Sequence, residues 1–139
     1  IGGDTDGNTI PDDIGWGGPS RKKEVDYVGK RSLSLTVFNQ PRRQQLVGFK
    51  LLDLQGKQFI QPGAHTIEPA ETSSGMRSTG FVTSACYSPT LQQPIAMGRL
   101  EDGRNRHGEI VSIYYDQKTY RAEVVAPVFY DLEGGRINA

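Results

Sequence analysis

The chain is poor in the residues that usually announce chemistry. Its 139 residues include one cysteine, two histidines, one tryptophan and two methionines. A single cysteine, Cys86, excludes an internal disulfide and fits a reducing, cytoplasmic compartment. With neither histidine near it in sequence, Cys86 reads as a small buried apolar residue rather than a nucleophile. No paired histidines and no Cys-x-x-Cys suggest zinc, so no metal is expected. No glycine-rich phosphate loop follows a strand. Charge of one sign is not in excess either: 16 basic side chains face 16 acidic ones, unlike the basic domain that a nucleic-acid partner requires. No apolar run approaches the roughly 20 residues of a membrane-spanning helix, and Ile1 opens no signal-peptide pattern, so no membrane partner is expected. Lacking an initiator methionine and opening on a polar, glycine-rich run over residues 1–18, the chain reads as a piece of a longer protein, whose activity need not reside in it.

What is present is turn chemistry and short apolar runs. The 17 glycines and 8 prolines are spread along the chain, as in an all-β protein rich in turns. Residues 1–24 have no periodicity. Pro11-Asp12-Asp13 reads as a turn or helix start, and Trp16, among glycines, as a side chain that packs on a neighbouring domain. Residues 26–33 are compatible with a short helix capped by Asp26 and weakened by Gly29. Asn39-Gln40-Pro41 reads as linker, which divides the chain into residues 1–41 and a β domain over 42–139. Leu46, Phe49, Leu51, Leu52 and Leu54 make a long, imperfectly alternating strand with Gly48 as a bulge or close-approach point. Further strands are expected at His65 to Glu68, Met76 to Ser84 and Ile95 to Glu101, with Ser88-Pro89-Thr90 as a turn between the last two. The clearest pair is Glu109 to Tyr115 and Tyr120 to Ala126, joined by a hairpin loop over 116–119. In the first, Ile110, Ser112 and Tyr114 share one face and Val111, Ile113 and Tyr115 the other. Six strands at short spacing favour closure into a small barrel, which leaves no unpaired edge.

Catalytic groupings are scarce. Asp4-Thr5-Asp6-Gly7-Asn8 resembles the start of a calcium loop, but counted from Asp4 the sixth and twelfth positions hold Thr9 and Gly15 instead of glycine and glutamate. His65 and His107 sit in turn-rich contexts, and Glu71, Glu101 and Asp102 read as solvated carboxylates rather than an acid–base pair. Arg21-Lys22-Lys23 is a basic cluster, read as a solvated turn on composition or as a site for an anionic tail. No catalytic residue is nominated. Residues alone leave a stand-alone β-barrel interaction module without ligand as one reading.

A second reading comes from resemblance. Gly80-Phe81-Val82-Thr83-Ser84 followed by Ser88-Pro89-Thr90-Leu91 and Ile95-Ala96-Met97 resembles the C-terminal barrel of the glycine-cleavage T-protein (aminomethyltransferase) family. So do Asp26-Tyr27-Val28-Gly29-Lys30 and Arg43-Gln44-Gln45-Leu46-Val47-Gly48. The ending Pro127-Val128-Phe129-Tyr130-Asp131-Leu132-Glu133-Gly134-Gly135-Arg136-Ile137-Asn138, with Gly29-Lys30-Arg31-Ser32-Leu33, is similar to the branch formed by the α subunit of heterotetrameric sarcosine oxidase. The resemblance implies an all-β, six-stranded Greek-key barrel, also seen in elongation factors, behind an irregular segment with one short helix. It implies that residues 1–41 are the tail of a folate-binding core plus linker. It also implies an oxidoreductase in which sarcosine is demethylated to glycine with methylenetetrahydrofolate and hydrogen peroxide, the present piece contributing to the tetrahydrofolate site without catalysing alone. FMN, FAD and NAD would belong to the whole complex, not to this piece, and the partners would be the remaining α-subunit domains and the other subunits. Arg21, Lys22 and Lys23 fall near the family's basic position for the folate carboxylates, and Tyr130 near an aromatic that approaches the ligand. The chain reads Ile14-Gly15-Trp16-Gly17-Gly18 where relatives carry a differently placed tryptophan, so the basic cluster has no fixed register. An aminomethyltransferase or dimethylglycine dehydrogenase ending is the neighbouring alternative.

Overall fold

In this computed structural model, residues 3–72 and 74–136 are described. Ile1, Ile137 and Asn138, used above, lie outside the described residues. Alternation of apolar side chains decides the architecture. In β1, Gln44–Leu51, the side chains of Val47, Phe49 and Leu51 all point into the core. The same parity buries Val111 and Ile113 in β5, Ile110–Tyr115, and leaves Ile110 and Tyr114 exposed, a split along the two faces that the sequence pattern predicts. Ala122 and Val124 complete the face in β6, Lys118–Val125. The other strands are β2, His65–Pro69, β3, Met76–Ser88, and β4, Gln93–Glu101.

The six strands close into an antiparallel barrel in the order β1-β4-β3-β2-β5-β6, with β6 returning to β1. Strands β2, β3 and β4 run as a meander, and β1 lies beside β4, which is the Greek-key arrangement. Closure gives every strand two neighbours, so the expected all-β, six-stranded barrel is the observed one.

Several details differ from the sequence reading. The first strand stops at Leu51 because the chain turns there: the Leu52 amide donates to the Arg121 carbonyl, and Asp53 pairs with the Arg121 side chain at 2.7 Å. Strand β3 runs to Ser88, four residues past the expected end, and Cys86 on it is exposed instead of buried. The register of β3 against β4 shifts between Val82 and Ser84, which turns Ala85 to the core and leaves Cys86 outside. No α-helix forms over residues 26–33. Gly29 adopts φ +91°, and the Lys30 ammonium donates to the Glu24 and Val25 carbonyls, so the segment is turns and single 3-10 turns. The one short α-helix among the described residues, α1, is Gly17–Lys22. The β5–β6 loop is two residues, Asp116 and Gln117, both at positive φ, because that geometry matches the twist of the paired strands.

Gly48 is a close-approach point rather than a bulge, since β1 keeps continuous register through it. A Cβ there would lie 2.7 Å from the Ala126 carbonyl oxygen and 2.7 Å from the Phe129 ring. The tip of the Phe129 ring therefore packs against the strand at Gly48, and the chain after β6 is held on the barrel wall. Outside the barrel, Arg106 grips Glu109 with two hydrogen bonds at 2.7 and 2.8 Å and also donates to Glu68. Arg77 donates to Glu101 at 2.8 Å. The Arg106 fork holds the Glu109 carboxyl below its usual 4.5.

Two outcomes follow from this packing. Gly48→Ala should lower stability by about 1–3 kcal/mol in urea denaturation, because the neighbours are backbone and an aromatic ring that has little room to yield. Between the depressed native value of Glu109 and its unfolded value, the unfolded chain binds more protons, so stability is full at neutral pH and falls as acid protonates the native carboxylate. Urea midpoints measured from about pH 6 down to about pH 3 should fall less steeply for Glu109→Gln than for the wild type; parallel curves would remove Arg106–Glu109 from the acid response.

Candidate functional site

The segment before the barrel is attached by charge. Asp13 ends a 3-10 turn, Pro11–Ile14, and its side chain is 2% exposed. Its Oδ2 accepts from the Ile10 amide at 3.0 Å, which fixes the turn. Arg43, on the linker that enters β1, donates to both Asp13 oxygens, and to the Val37 and Asn8 carbonyls at 3.1 and 2.8 Å. Arg99, buried on β4, comes within 3.9 Å of the same carboxylate and donates to Thr9 at 2.6 Å and to the Gln44 carbonyl at 3.2 Å. The Asp13 bonds raise the Arg43 pKa further above its usual value. Nearer the start, Thr83 of β3 donates to Asp4. Asp6 is turned inward on its own loop, accepting from the Asn8 amide at 2.9 Å and the Thr9 hydroxyl at 2.8 Å, and these bonds lower its pKa.

This clasp positions Arg21. Asp12, adjacent to Asp13, accepts from Arg21 Nε with both oxygens at 2.9 Å. The start of α1 lies against that carboxylate, where a Cβ on Gly17 would stand 1.8 Å from Asp12 Oδ1; only glycine allows the approach. The Asp12 bond raises the Arg21 pKa. It uses Nε alone, so the two terminal nitrogens of the guanidinium have no partner among the described residues. Arg21 borders an open cavity of about 340 Å³, with Tyr27, Lys30, Leu33 and Asn39 around it. Tyr27 donates to the Ser20 carbonyl at 2.9 Å, and the Lys30 ammonium lies 6.0 Å from the Tyr27 ring centre. Asn39 spans the Leu33 and Leu35 carbonyls at 3.0 and 2.9 Å. Two cations and one aromatic ring thus line a cavity with no carboxylate in its wall, an arrangement whose charge suits an anion.

Of the residues nominated from sequence, Arg21 lines this cavity. Lys22 and Lys23 follow it in the chain and are exposed; Lys23 stands 5.5 Å over the Tyr27 ring from its own side. Tyr130 lies on the segment after β6, half exposed, with the Arg136 guanidinium 5.2 Å above its ring, and it is not in the wall of the cavity. Tyr27 and Lys30 belong to the site and were read only as helix; the two basic side chains beside an aromatic were the available signal. Of the other ionisable side chains considered from the sequence, Glu71, Glu101 and His65 have partners of their own. Glu71 pairs with Arg42 and Glu101 with Arg77 at 2.8 Å each, and His65 Nδ1 lies 2.8 Å from the Ser78 hydroxyl oxygen. Among the described residues no group of three or more histidine, cysteine or acidic side chains is placed to hold a metal. No helix among them is long and apolar enough to cross a membrane.

Comparison with known proteins gives this geometry a setting. Residues 44–131 match the family described as the glycine cleavage T-protein C-terminal barrel domain. The chain is 34% identical over 134 residues to sarcosine oxidase subunit alpha of Rhizobium meliloti, covering 95% of this chain and 13% of that protein. It is 33% identical over 131 residues to an aminomethyltransferase of Thermosipho melanesiensis, covering 93% of this chain and 32% of that protein. The chain therefore spans about a seventh of the first kind of relative and about a third of the second. The crystal structure of glycine cleavage system aminomethyltransferase T from Bartonella henselae superposes with a TM-score of 0.66 at 20% identity, over 90% of this chain and 33% of that one, and shows the same fold.

The clasp makes a quantitative prediction. Arg99 already buries one N–H, Nε, without a partner among the described residues, so losing Asp13 would strip Arg43 of its carboxylate and leave Arg99 only the exposed Asp6, 3.7 Å away. Asp13→Ala should cost about 3 kcal/mol or more in urea denaturation. A loss below about 1 kcal/mol, the worth of an exposed pair, would mean that the segment is only loosely attached.

Proposed function

The chain belongs to the glycine cleavage T-protein C-terminal barrel family, and from that premise we propose that it is the end of a sarcosine oxidase α subunit, where it forms one wall of a tetrahydrofolate site. The whole oxidase would convert sarcosine, oxygen and tetrahydrofolate into glycine, methylenetetrahydrofolate and hydrogen peroxide. In this reading the flavins and NAD belong to other parts of the complex. The observation that carries the proposal is the Arg21 guanidinium: fixed by Asp12, with two nitrogens free, and facing a cavity that also holds Lys30 and the Tyr27 ring.

These residues fit the anionic end of the ligand. Folate ends in glutamate carboxylates, and the cavity wall offers cations and no acid to repel them. Arg21 and Lys30 would hold that end, with Lys22 and Lys23 adding positive charge at the entrance. Tyr130 would approach from the chain after β6. Tetrahydrofolate would supply the acceptor for the one-carbon unit. This chain would bind and orient it, and the groups that grip its ring system would lie on other polypeptide. The apolar side chains exposed before the barrel, Trp16 at 73% and Val25, Val28 and Leu35 further along the same segment, would supply a surface for that polypeptide. The equally extensive match to aminomethyltransferase supports a second reading, in which the same wall serves one-carbon transfer without the oxidase.

Thermal unfolding with and without 5-formyltetrahydrofolate tests the proposal, on this chain and on the longest reading frame that contains it. The longer protein should be stabilised as RT ln(1 + [L]/Kd), about 2.7 kcal/mol at a hundredfold excess over Kd, and Arg21→Gln should reduce the gain. A longer protein indifferent to the ligand would contradict the folate reading and leave the barrel as an interaction module.

A further inference from the structure

A second cavity, of about 390 Å³, opens at the mouth of the barrel, at the end of β1 opposite Arg43. Here the loop over residues 52–64 meets the β5–β6 hairpin. Tyr115 and Lys118 are cross-strand partners, and so are Ile113 and Tyr120. The four share one face of the hairpin, and Ile113 is fully buried, so Tyr115, Lys118 and Tyr120 continue the inward face past the core to the rim. The loop contributes Ile60, buried as the floor, and Lys57 and Phe59 at the edge. Barrel mouths are a common place for small-molecule sites, and this volume lies in the usual range of roughly 300–1,000 Å³.

Its polar groups are unspent. Neither the Lys57 nor the Lys118 ammonium makes an ion pair or hydrogen bond among the described residues, and the Tyr115 and Tyr120 hydroxyls have no partner there either. Arg77, Arg106 and Arg121 are each matched to a carboxylate, whereas these two lysines are not. The acids closest in sequence do not neutralise the mouth. Asp53 is held by Arg121, and Asp116 sits in the hairpin turn, outside the cavity wall. Two free ammonium groups, two free phenols and an exposed phenyl ring therefore meet over an apolar floor.

We propose that the barrel mouth is a binding site for a small aromatic carboxylate, separate from the cavity at Arg21. The ring would lie against Phe59, Tyr115 and Tyr120, where aromatic faces and edges attract one another. The carboxylate would take charge-assisted hydrogen bonds from Lys57 and Lys118 and a further bond from a tyrosine hydroxyl. Both halves of the ligand are required: an anion without a ring leaves the apolar floor wet, and a ring without charge leaves the ammonium groups unmatched.

Benzoate titrated into the 15N-labelled chain at low salt tests this. Amide shifts should be saturable and centred on residues 57–60 and 115–120. Acetate and benzyl alcohol at the same concentrations should not reproduce them. The double variant Lys57→Gln/Lys118→Gln, changed only at exposed side chains, should keep its dispersed spectrum and bind benzoate at least about tenfold more weakly. Its response to 5-formyltetrahydrofolate in the longer protein should be unchanged, which separates this site from the folate wall. Acetate matching benzoate, benzoate shifts centred elsewhere, or an unweakened double variant would each overturn the proposal.

Discussion

One buried carboxylate connects the two parts of this chain. Asp13 is almost wholly removed from water, and in isolation a charge there would be strongly unfavourable. It is tolerated because Arg43 donates to both its oxygens and Arg99 stands close behind. Neither arginine is free to move: one lies on the approach to β1, the other on β4, and those strands are paired over seven positions. The barrel thus presents two fixed positive groups, and the segment before it supplies the matching negative one. Such a pairing adds little net stability over an apolar contact, but it specifies one attachment geometry, since any displacement strands a buried charge.

That constraint passes along the chain to the cavity. Asp12 follows from the position of Asp13, Gly17 lets α1 begin against it, and Arg21 is drawn to the Asp12 carboxylate from the end of the helix. A surface arginine, whose side chain would otherwise sample many rotamers, is held with part of its guanidinium still free. Preorganisation of this kind reduces the ordering cost of binding an anion. The barrel interior takes no part: its inward side chains are mainly apolar, and the buried Thr66 and Thr79 hydroxyls are spent on each other at 3.0 Å. The fold is a scaffold, and its two candidate sites differ in how they are built, one from an attached segment and one from the strands themselves.

The parts legible in the sequence were those decided locally. Strict alternation in Ile110–Tyr115 predicts which side chains share a face, and the observed burial divides along those two faces because nothing interrupts the strand. Gly48 was legible as a special position, though only the packing of Phe129 shows that close approach is the reason. Cys86 was misread because a register shift reverses the parity of β3, and a bulge has no signature in composition. The helix was placed over residues 26–33 on the strength of a capping residue, but Gly29 at positive φ and the Lys30 bonds to two carbonyls favour turns there. The clasp was beyond sequence reasoning altogether. Asp13 and Arg43 are thirty positions apart and Asp13 and Arg99 farther still, and each reads by itself as an ordinary surface charge. For Arg21 the sequence supplied the residue; the Asp12 anchor and the Tyr27–Lys30 surroundings came only with the coordinates.

Native-state hydrogen exchange measures most directly whether the segment and the barrel form one unit. The Asp13 and Trp16 amides are bonded to the Ile10 and Pro11 carbonyls inside the segment, while the Val124 amide is bonded to the Glu109 carbonyl on the barrel. If the clasp holds as described, the two segment amides should exchange only through openings nearly as costly as the one that exposes Val124. Segment amides exchanging through cheap local fraying while Val124 stays protected would contradict the account.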